Sequence, residues 1–394
     1  MTNNSLLQSL HSHLAWWGLK RFMSDVDYFA WQRKQLAPAD LTQLSTQVER
    51  KRGGERCDEV AFYDLIAQPQ ILPVLYSQRF EYYREIGSRV AARFGDANRI
   101  LDFGCGVGIL PTFYATQCSE KQFVGIDRSP ASIAVAREKA RELGLSNVRF
   151  ECVDVESVNF AGSYDLIVAT HALVQAEQDP GIPSHSWQTF ERARDMKQQS
   201  AFEQRAGIGV RLDRLSASLV QNGRMIVFEK TRQLARRVPL QRALAARDLG
   251  LIEQPELIRY RVVEEIADDG PFYVLGMGAS RQIFWDESPE LDEGRPFDRT
   301  QLKTGSRDSD APLYENHWPS AQRVWEQLHD KRLLKETTRQ EPDGRQLHVE
   351  LGQAEEWVYL YCANTLDQRQ LVIVEPARTV ILESYYQEIA SSAP

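Results

Sequence analysis

Residues 100–108 read I-L-D-F-G-C-G-V-G, an apolar segment that leads into an acid and then into glycines at alternate positions. This pattern is typical of a β-strand followed by a tight turn and the start of a helix. Glycine can adopt positive φ angles, and it lets a ligand lie directly against the backbone at a helix N-terminus. In an α/β sheet, such a turn is where nucleotide-like ligands bind.

The spacing of the glycines distinguishes between such ligands. A dinucleotide fingerprint starting at Gly104 needs a third glycine at position 109, where this chain has Ile109. The chain instead has G-x-G-x-G, with an acid two residues before the first glycine. This pattern, formed by Asp102, Gly104, Gly106 and Gly108, resembles motif I of class I S-adenosylmethionine-dependent methyltransferases. The resemblance implies S-adenosyl-L-methionine as the cofactor and these four residues as part of its site.

Two further acids follow predicted strands. Residues 122–127 form a short apolar run that ends in Asp127, about 20 residues after the turn, where a Rossmann-like unit places its ribose-binding carboxylate. Residues 148–153 predict a third strand before Asp154, and the resemblance assigns the adenine amino group to this acid. The predicted cofactor site also includes Arg128, Val155, Thr170, Tyr63 and Arg79.

The order of elements predicts the sheet of this family over about residues 60–278. The further predicted elements are a strand (164–170), a helix (212–220), a turn (222–223), a strand (224–229), a helix (238–249) and a hairpin of two strands (256–266 and 272–276). The expected fold class is α/β, with a Rossmann-like, seven-stranded, mostly parallel sheet flanked by helices. An N-terminal helical cap and a small C-terminal α+β module complete it.

Composition limits the class of protein. The chain has 394 residues, of which 42% are apolar, and a formal net charge of -8. That length predicts two or three domains at roughly 100–200 residues each, and the negative charge argues against, without excluding, a nucleic-acid partner. The five cysteines show no metal-ligand or disulfide spacing, so no metal is expected and a reducing cytoplasm fits best. No signal peptide or membrane span of roughly 20 apolar residues is indicated.

The pattern predicts four regions along the chain. They are a helical N-terminal cap (1–95), the cofactor-binding methyltransferase domain (96–280) with an insertion (171–209), a polar linker (281–312) and a small α+β module (313–394). The last region is a candidate for homodimerisation, for docking of a partner or for substrate recognition.

The N-terminal region is rich in aromatic side chains, and two interpretations are open. The aromatics either only pack a helical cap, or the segment 61–86 folds over the cofactor, as the resemblance implies. In the second case Phe62, Tyr63, Tyr76 and Arg79 close the pocket. The guanidinium of Arg79 then reaches the methionine carboxylate of the cofactor.

The insertion follows the fourth strand, where the resemblance places the methyl-acceptor site. A loop of this length is typical of a lid or a binding loop. His171 comes directly after the strand and is a candidate general base for an oxygen or activated-carbon acceptor. The alternative is a strand-end histidine that hydrogen-bonds the backbone and shapes the pocket.

Missing motifs narrow the acceptor. The chain has Ala169-Thr170-His171-Ala172 where methylases of exocyclic base amines carry N-P-P-Y, and it lacks the cysteine of pyrimidine C5 methylases and the paired glutamates of arginine methylases. We therefore expect an S-adenosylmethionine-dependent methyltransferase acting on a small molecule or a protein side chain. The alternatives are an RNA methyltransferase and a catalytically silent, cofactor-binding subunit that docks a partner through its flanking modules.

Overall fold

The computed structural model describes residues 3–52, 56–158, 162–174, 179–263, 265–278, 283–289, 294, 296–297, 313–342 and 344–391. Most of the predicted linker and residues 175–178 of the predicted insertion lie outside these ranges. The chain divides into two compact units. The first contains Met1–Asp179, Glu203–Arg232 and Leu240–Trp285, and the second contains Pro180–Phe202, Gln233–Pro239 and Asp286–Pro394.

The chain before the first strand is helical. Its helices are α1 (Asn3–Trp16), α2 (Asp25–Gln35), α3 (Pro38–Arg52), α4 (Arg56–Ile66), α5 (Leu72–Ser77) and α6 (Phe80–Ala91). Ser24 caps α2 by accepting a hydrogen bond from the backbone of Asp27, and Pro73 lies in the first turn of α5. Trp17, Tyr28 and Tyr82 are buried in a core that these helices share with the sheet. The predicted helical cap is confirmed, and the predicted aromatic segment is divided among α4, α5 and α6.

A mostly parallel sheet forms the centre of the first unit. The elements along residues 99–277 are β1 (Arg99–Phe103), α7 (Ile109–Gln117), β2 (Gln122–Asp127), α8 (Pro130–Glu142), β3 (Val148–Cys152), β4 (Tyr164–Thr170), α9 (Met196–Arg205), α10 (Gly209–Ala217), β5 (Leu219–Phe228), α11 (Leu234–Ala245), β6 (Leu249–Leu251), β7 (Glu256–Val262) and β8 (Glu265–Met277). Most of α9 and the first half of α11 belong to the second unit. Within the described residues the strand order is β3-β2-β1-β4-β5-β8-β6, with β7 paired to β8. Strands β1 to β5 are parallel, and β8 is antiparallel to β5. The predicted fold class is confirmed, and β6 is an additional three-residue strand.

The predicted Asn222-Gly223 turn lies inside β5. Asn222 has φ 63°, and the pairing of β4 with β5 shifts between Tyr164 and Leu166. The turn residues therefore form an irregularity in one strand, because asparagine tolerates the left-handed conformation that a bulge requires.

The glycines between β1 and α7 all have positive φ, at 73° for Gly104, 53° for Gly106 and 84° for Gly108. They differ in what surrounds them. A Cβ on Gly104 would lie 2.4 Å from Cβ of Ala172, and one on Gly108 would lie 2.8 Å from Cβ of Ala136. Gly104 thus permits contact with the segment after β4, and Gly108 permits close packing of α7 on α8.

The second unit contains an antiparallel sheet of different connectivity. Its elements are β9 (Tyr314–His317), α12 (Trp318–Gln327), β10 (Lys331–Gln340), β11 (Gln346–Ala354), β12 (Trp357–Asn364), β13 (Arg369–Val374), a 3₁₀ turn (Pro376–Arg378) and α13 (Thr379–Ser391). The strand order is β10-β11-β12-β13-β9 among the residues described. Helix α12 covers one face of this sheet through Val324, and α13 covers the other through Leu382. The predicted α+β module is confirmed.

Part of the predicted insertion belongs to this second unit. The indole of Trp187 stacks on His348 with 3.6 Å between ring centroids, and Arg192 forms a buried ion pair with Asp367. These contacts lie between residues far apart in sequence, so no local pattern indicates them. Among the described residues, no helix has the length and apolar character needed to cross a membrane.

We expect Gly108→Ala to destabilise the protein by roughly 2–4 kcal/mol, because the new methyl group combines a left-handed backbone with overpacking against α8. Gly144→Ala is the matched control. Gly144 has φ 65°, but a Cβ added there would have nothing within 4 Å, so the expected loss is only about 1 kcal/mol. Urea unfolding of both variants measures the difference. Equal losses of unfolding free energy in the two variants would show that α8 can shift to accommodate the methyl group without destabilising the protein.

Candidate functional site

A pocket opens at the carboxyl ends of β1, β2 and β4, in the first unit. It encloses about 1060 Å³ of space free of protein atoms, including solvent at its mouth. Its lining includes these predicted site residues: Tyr63, Arg79, Asp102, Gly104, Gly106, Asp127, Arg128, Asp154, Val155, Thr170 and His171. The remaining predicted residue, Gly108, packs against α8 and is not part of the lining. The structure therefore brings together side chains that are up to about a hundred positions apart in the sequence.

Asp127 connects the second strand to the glycine turn. Its carboxylate accepts hydrogen bonds from the backbone of Gly106 (2.9 Å) and of Ser129 (2.8 Å). Burial raises the pKa of Asp127, and these two backbone hydrogen bonds act in the opposite direction. Each carboxylate oxygen keeps a further lone pair for a ligand hydroxyl.

Asp102 is a buried acid with no hydrogen-bond partner in the described part of the chain. The residue is 8% exposed, and its carboxyl group faces the pocket at the end of β1. Burial, together with the nearby charge of Asp127, raises the pKa of Asp102 to about 8. A cationic ligand group in the pocket would stabilise the ionised form.

Asp154 and Arg128 have partners close by. The Asp154 carboxylate accepts hydrogen bonds from the backbone of Glu156 (3.0 Å) and the hydroxyl of Ser157 (2.8 Å), which shapes the turn after β3. The guanidinium of Arg128 pairs with Glu59 of α4 at 2.7 Å. This ion pair joins one wall of the pocket to the N-terminal helices.

Thr170 and His171 end the fourth strand. The Tyr82 hydroxyl donates to Oγ1 of Thr170 (2.9 Å), and the ring of Tyr82 stacks on His171 at 4.8 Å. His171 adopts φ 53°, an uncommon conformation for a residue with a side chain. Burial is the main cause that lowers its pKa to about 4, so the imidazole is neutral near pH 7.

Three of the four predicted closing residues lie where the second interpretation of the N-terminal region places them. Tyr63, Tyr76 and Arg79 line the pocket. Tyr76 is the nearest described residue to the space above Gly106, where its hydroxyl would lie 3.8 Å from an added Cβ. Phe62 packs at the edge of the N-terminal core instead.

Two residues that the sequence analysis missed hold the segment after β4. The buried carboxylate of Glu229 accepts hydrogen bonds from the backbone of Ala172 and Leu173, both at 2.8 Å. Arg211 donates to the carbonyl oxygens of the same two residues at 3.0 and 2.9 Å. Burial raises the pKa of Glu229 to about 7. The sequence did contain a signal for Glu229, because this acid directly follows the apolar end of β5.

Comparison with known proteins identifies the domain. Residues 95–204 match a family model described as a methyltransferase domain. The chain contains a class I S-adenosylmethionine-dependent methyltransferase domain. The predicted family and its cofactor, S-adenosyl-L-methionine, are thereby confirmed, whereas the role of each pocket residue stays a prediction.

Similar methyltransferases resemble only part of the chain. The malonyl-[acyl-carrier protein] O-methyltransferase of Acetivibrio thermocellus is 36% identical over 70 residues, which are 18% of this chain and 24% of that protein. Aklanonic acid methyltransferase DauC of a Streptomyces species is 32% identical over 98 residues, or 24% of this chain and 44% of that protein. The chain thus spans less than half the length of these relatives. The N-methyltransferase NodS from Bradyrhizobium japonicum, solved with S-adenosyl-L-homocysteine, aligns with 50% of this chain and 88% of its own at 16% identity and a TM-score of 0.35.

The buried acid of the methyltransferase domain predicts a pH-dependent stability. Asp102 has a raised pKa of about 8 in the folded protein against an ordinary value of 3.8. The stability it contributes is fully present below about pH 4 and is lost as the pH rises towards 8. We therefore expect Asp102→Asn, without ligand, to lose less stability between pH 5 and pH 8 than the wild type.

Urea unfolding at both pH values measures this effect. Asp96→Asn is the control, since the Asp96 side chain is fully exposed and its replacement should leave the wild-type pH dependence unchanged. The assignment fails if Asp102→Asn and the wild type lose equal stability.

Proposed function

We propose that this protein is a methyltransferase that binds S-adenosylmethionine in the pocket of the first unit and transfers its methyl group to a small molecule or a protein side chain. One observation carries the proposal. The pocket places a glycine turn, two acids and a guanidinium around one space, namely Gly106, Asp102, Asp127 and Arg79.

These residues fit the chemistry of the cofactor. S-adenosylmethionine has a sulfonium and an ammonium group, which match Asp102, and a carboxylate, which matches Arg79. The ribose hydroxyls match the free lone pairs of Asp127. The carboxylate of Asp154 suits the polar edge of the adenine ring, and the buried side chain of Val155 suits its apolar face. The glycine turn leaves room for the ligand to approach the backbone at the start of α7.

For methyl transfer, the protein mainly has to hold the cofactor and the acceptor in alignment. When bound, S-adenosylmethionine supplies an activated methyl group on a sulfonium with a neutral leaving group. The protein residues must orient the acceptor and exclude water. Tyr82 and Tyr83, which are both largely buried, form part of the pocket wall on that side. A base is needed only for an acceptor that is protonated at neutral pH.

Several observations support the proposed class of acceptor. The two relatives are named for a malonyl-[acyl-carrier protein] and for aklanonic acid, so the named acceptors are acyl or small organic molecules. The negative net charge and the missing base-amine motif disfavour a nucleic acid. A homodimer or a partner docked through residues 313–394 remains part of the proposal, as does action in the cytoplasm.

Cofactor binding is tested by calorimetry with S-adenosyl-L-homocysteine. We expect Asp127→Ala to weaken binding by about 10- to 100-fold, because charge-assisted hydrogen bonds contribute roughly 1.5–3 kcal/mol. Gly106→Val should abolish binding, since its side chain would enter the pocket from a backbone with φ 53°.

Asp165→Ala is a matched control for Asp127→Ala. Asp165 also accepts two backbone hydrogen bonds, from Asn98 and Arg99, both at 2.8 Å, but it lies at the opposite end of the sheet from the pocket. Its loss should lower the melting temperature and leave the affinity unchanged. Equal weakening by both variants would assign Asp127 a purely structural role.

Turnover separates the enzyme from the silent subunit. Incubation of the protein with methyl-labelled S-adenosylmethionine and fractionated lysate should label a small-molecule or protein fraction. Label in RNA would instead support the alternative that the protein is an RNA methyltransferase. Tight binding of S-adenosyl-L-homocysteine without label in any fraction would favour the silent, partner-docking subunit.

A further inference from the structure

Arg79 differs from the other arginines that line the pocket. Arg128 and Arg211 each pair with a glutamate, at 2.7 and 2.6 Å. In the described part of the chain, no carboxylate lies within ion-pair distance of Arg79. Its guanidinium instead donates a hydrogen bond to Nδ1 of His171 and lies over the ring of Tyr82, 4.5 Å from the centroid. A cation that is partly removed from water and has no anionic partner is costly, and a bound anion removes that cost.

The hydrogen bond from Arg79 determines the state of the His171 ring. Because Nδ1 accepts this bond, the proton of the neutral imidazole lies on Nε2. Nε2 is 3.0 Å from Oδ2 of Asp269, a residue of β8. The hydroxyl of Tyr260 donates to the same carboxylate. Although burial opposes ionisation, the His171 and Tyr260 hydrogen bonds lower the pKa of Asp269 to about 2. Asp269, His171 and Arg79 thus lie in one row of polar contacts, with the imidazole between the carboxylate and the guanidinium.

Packing holds the imidazole ring of His171 in one orientation. Its ring lies between Tyr82 and Phe228, with centroid distances of 4.8 and 5.2 Å and nearly parallel planes. The backbone N–H of His171 donates to the carbonyl oxygen of Phe228 at 2.8 Å. An imidazole fixed on both faces presents its Nδ1 to Arg79 and cannot turn toward another partner.

From these contacts we infer that Asp269 and His171 are positioning residues that hold the Arg79 guanidinium as a carboxylate-binding site. The inference deepens the proposed function and rests on it. The bound carboxylate belongs either to the methionine part of the cofactor or to the methyl acceptor, and the same guanidinium chemistry serves both. In this arrangement His171 has no free lone pair for an acceptor proton, so it does not act as the general base.

Ligands with and without the carboxylate test the site. S-adenosyl-L-homocysteine has the amino-acid carboxylate, whereas 5′-methylthioadenosine lacks the amino-acid group. Calorimetry gives the affinity of each ligand for the wild type and for Arg79→Gln. Sodium benzoate, titrated into the protein saturated with S-adenosyl-L-homocysteine, probes an acceptor carboxylate.

The results distinguish the two sources of the carboxylate. If the cofactor supplies it, Arg79→Gln should weaken S-adenosyl-L-homocysteine by about 30-fold, the size expected for a buried charge pair, and leave 5′-methylthioadenosine unchanged. If the acceptor supplies it, the variant should leave both nucleosides unchanged and abolish benzoate binding. The inference is overturned if Arg79→Gln changes none of the three titrations. A wild type that binds neither nucleoside would instead refute the proposed function.

Substitutions of His171 separate positioning from packing. His171→Asn keeps an acceptor near the position of Nδ1 and loses the stacked ring, whereas His171→Phe keeps the ring and loses the acceptor. We expect the asparagine variant to retain the Arg79-dependent binding within about threefold and the phenylalanine variant to lose it as Arg79→Gln does. If His171→Phe retained the Arg79-dependent binding and His171→Asn lost it, the role of His171 would be merely structural. Thermal unfolding of each variant confirms that it is folded, and Asp269→Asn should give an intermediate loss.

Discussion

The two hydrogen bonds between the Asp127 carboxylate and the backbone at Gly106 and Ser129 are the contact on which the pocket depends. They tie the glycine turn after β1 to the start of α8, so both turns keep one shape. Gly106, whose backbone donates one of these hydrogen bonds, has a positive φ of 53°. A buried carboxylate is costly unless it is hydrogen-bonded, and here the backbone supplies the bonds. The same carboxylate can therefore be structural and still line the pocket.

The pocket combines groups that are stabilised by the fold with groups that are not. Asp127, Glu229 and Asp269 all accept hydrogen bonds from the protein. Asp102 accepts none among the described residues, and its pKa is raised accordingly. An acid without hydrogen-bond partners lowers the stability of the ligand-free protein when it ionises, and such acids are common where a charged ligand binds. The difference in hydrogen bonding between neighbouring acids favours a binding site over a structural ion-pair network.

The sequence allowed much of the fold to be predicted, because the relevant signals are local. Asp102, Asp127 and Asp154 each end an apolar run, and the glycines mark the turn that brings the first two together. The strand β6 was missed because three residues contain no measurable periodicity. Asn222-Gly223 was interpreted as a turn because a bulge and a turn use the same residues. The partners of His171 come from the start of α6, from β5 and from β8, and no spacing along the chain indicates that these elements meet there.

The path of the chain through the second unit has a consequence for biosynthesis. Its sheet takes strands from the C-terminal part, yet residues 180–202 and 233–239 complete the unit. The ion pair between Arg192 and Asp367 cannot form until Asp367 has been synthesised, 175 residues after Arg192. Contacts over such long separations are formed slowly, and the unpaired segments stay exposed meanwhile. The glycine turn and the neighbouring strands of the first unit can form early on the ribosome, whereas the second unit cannot form until its strands after residue 313 have been synthesised.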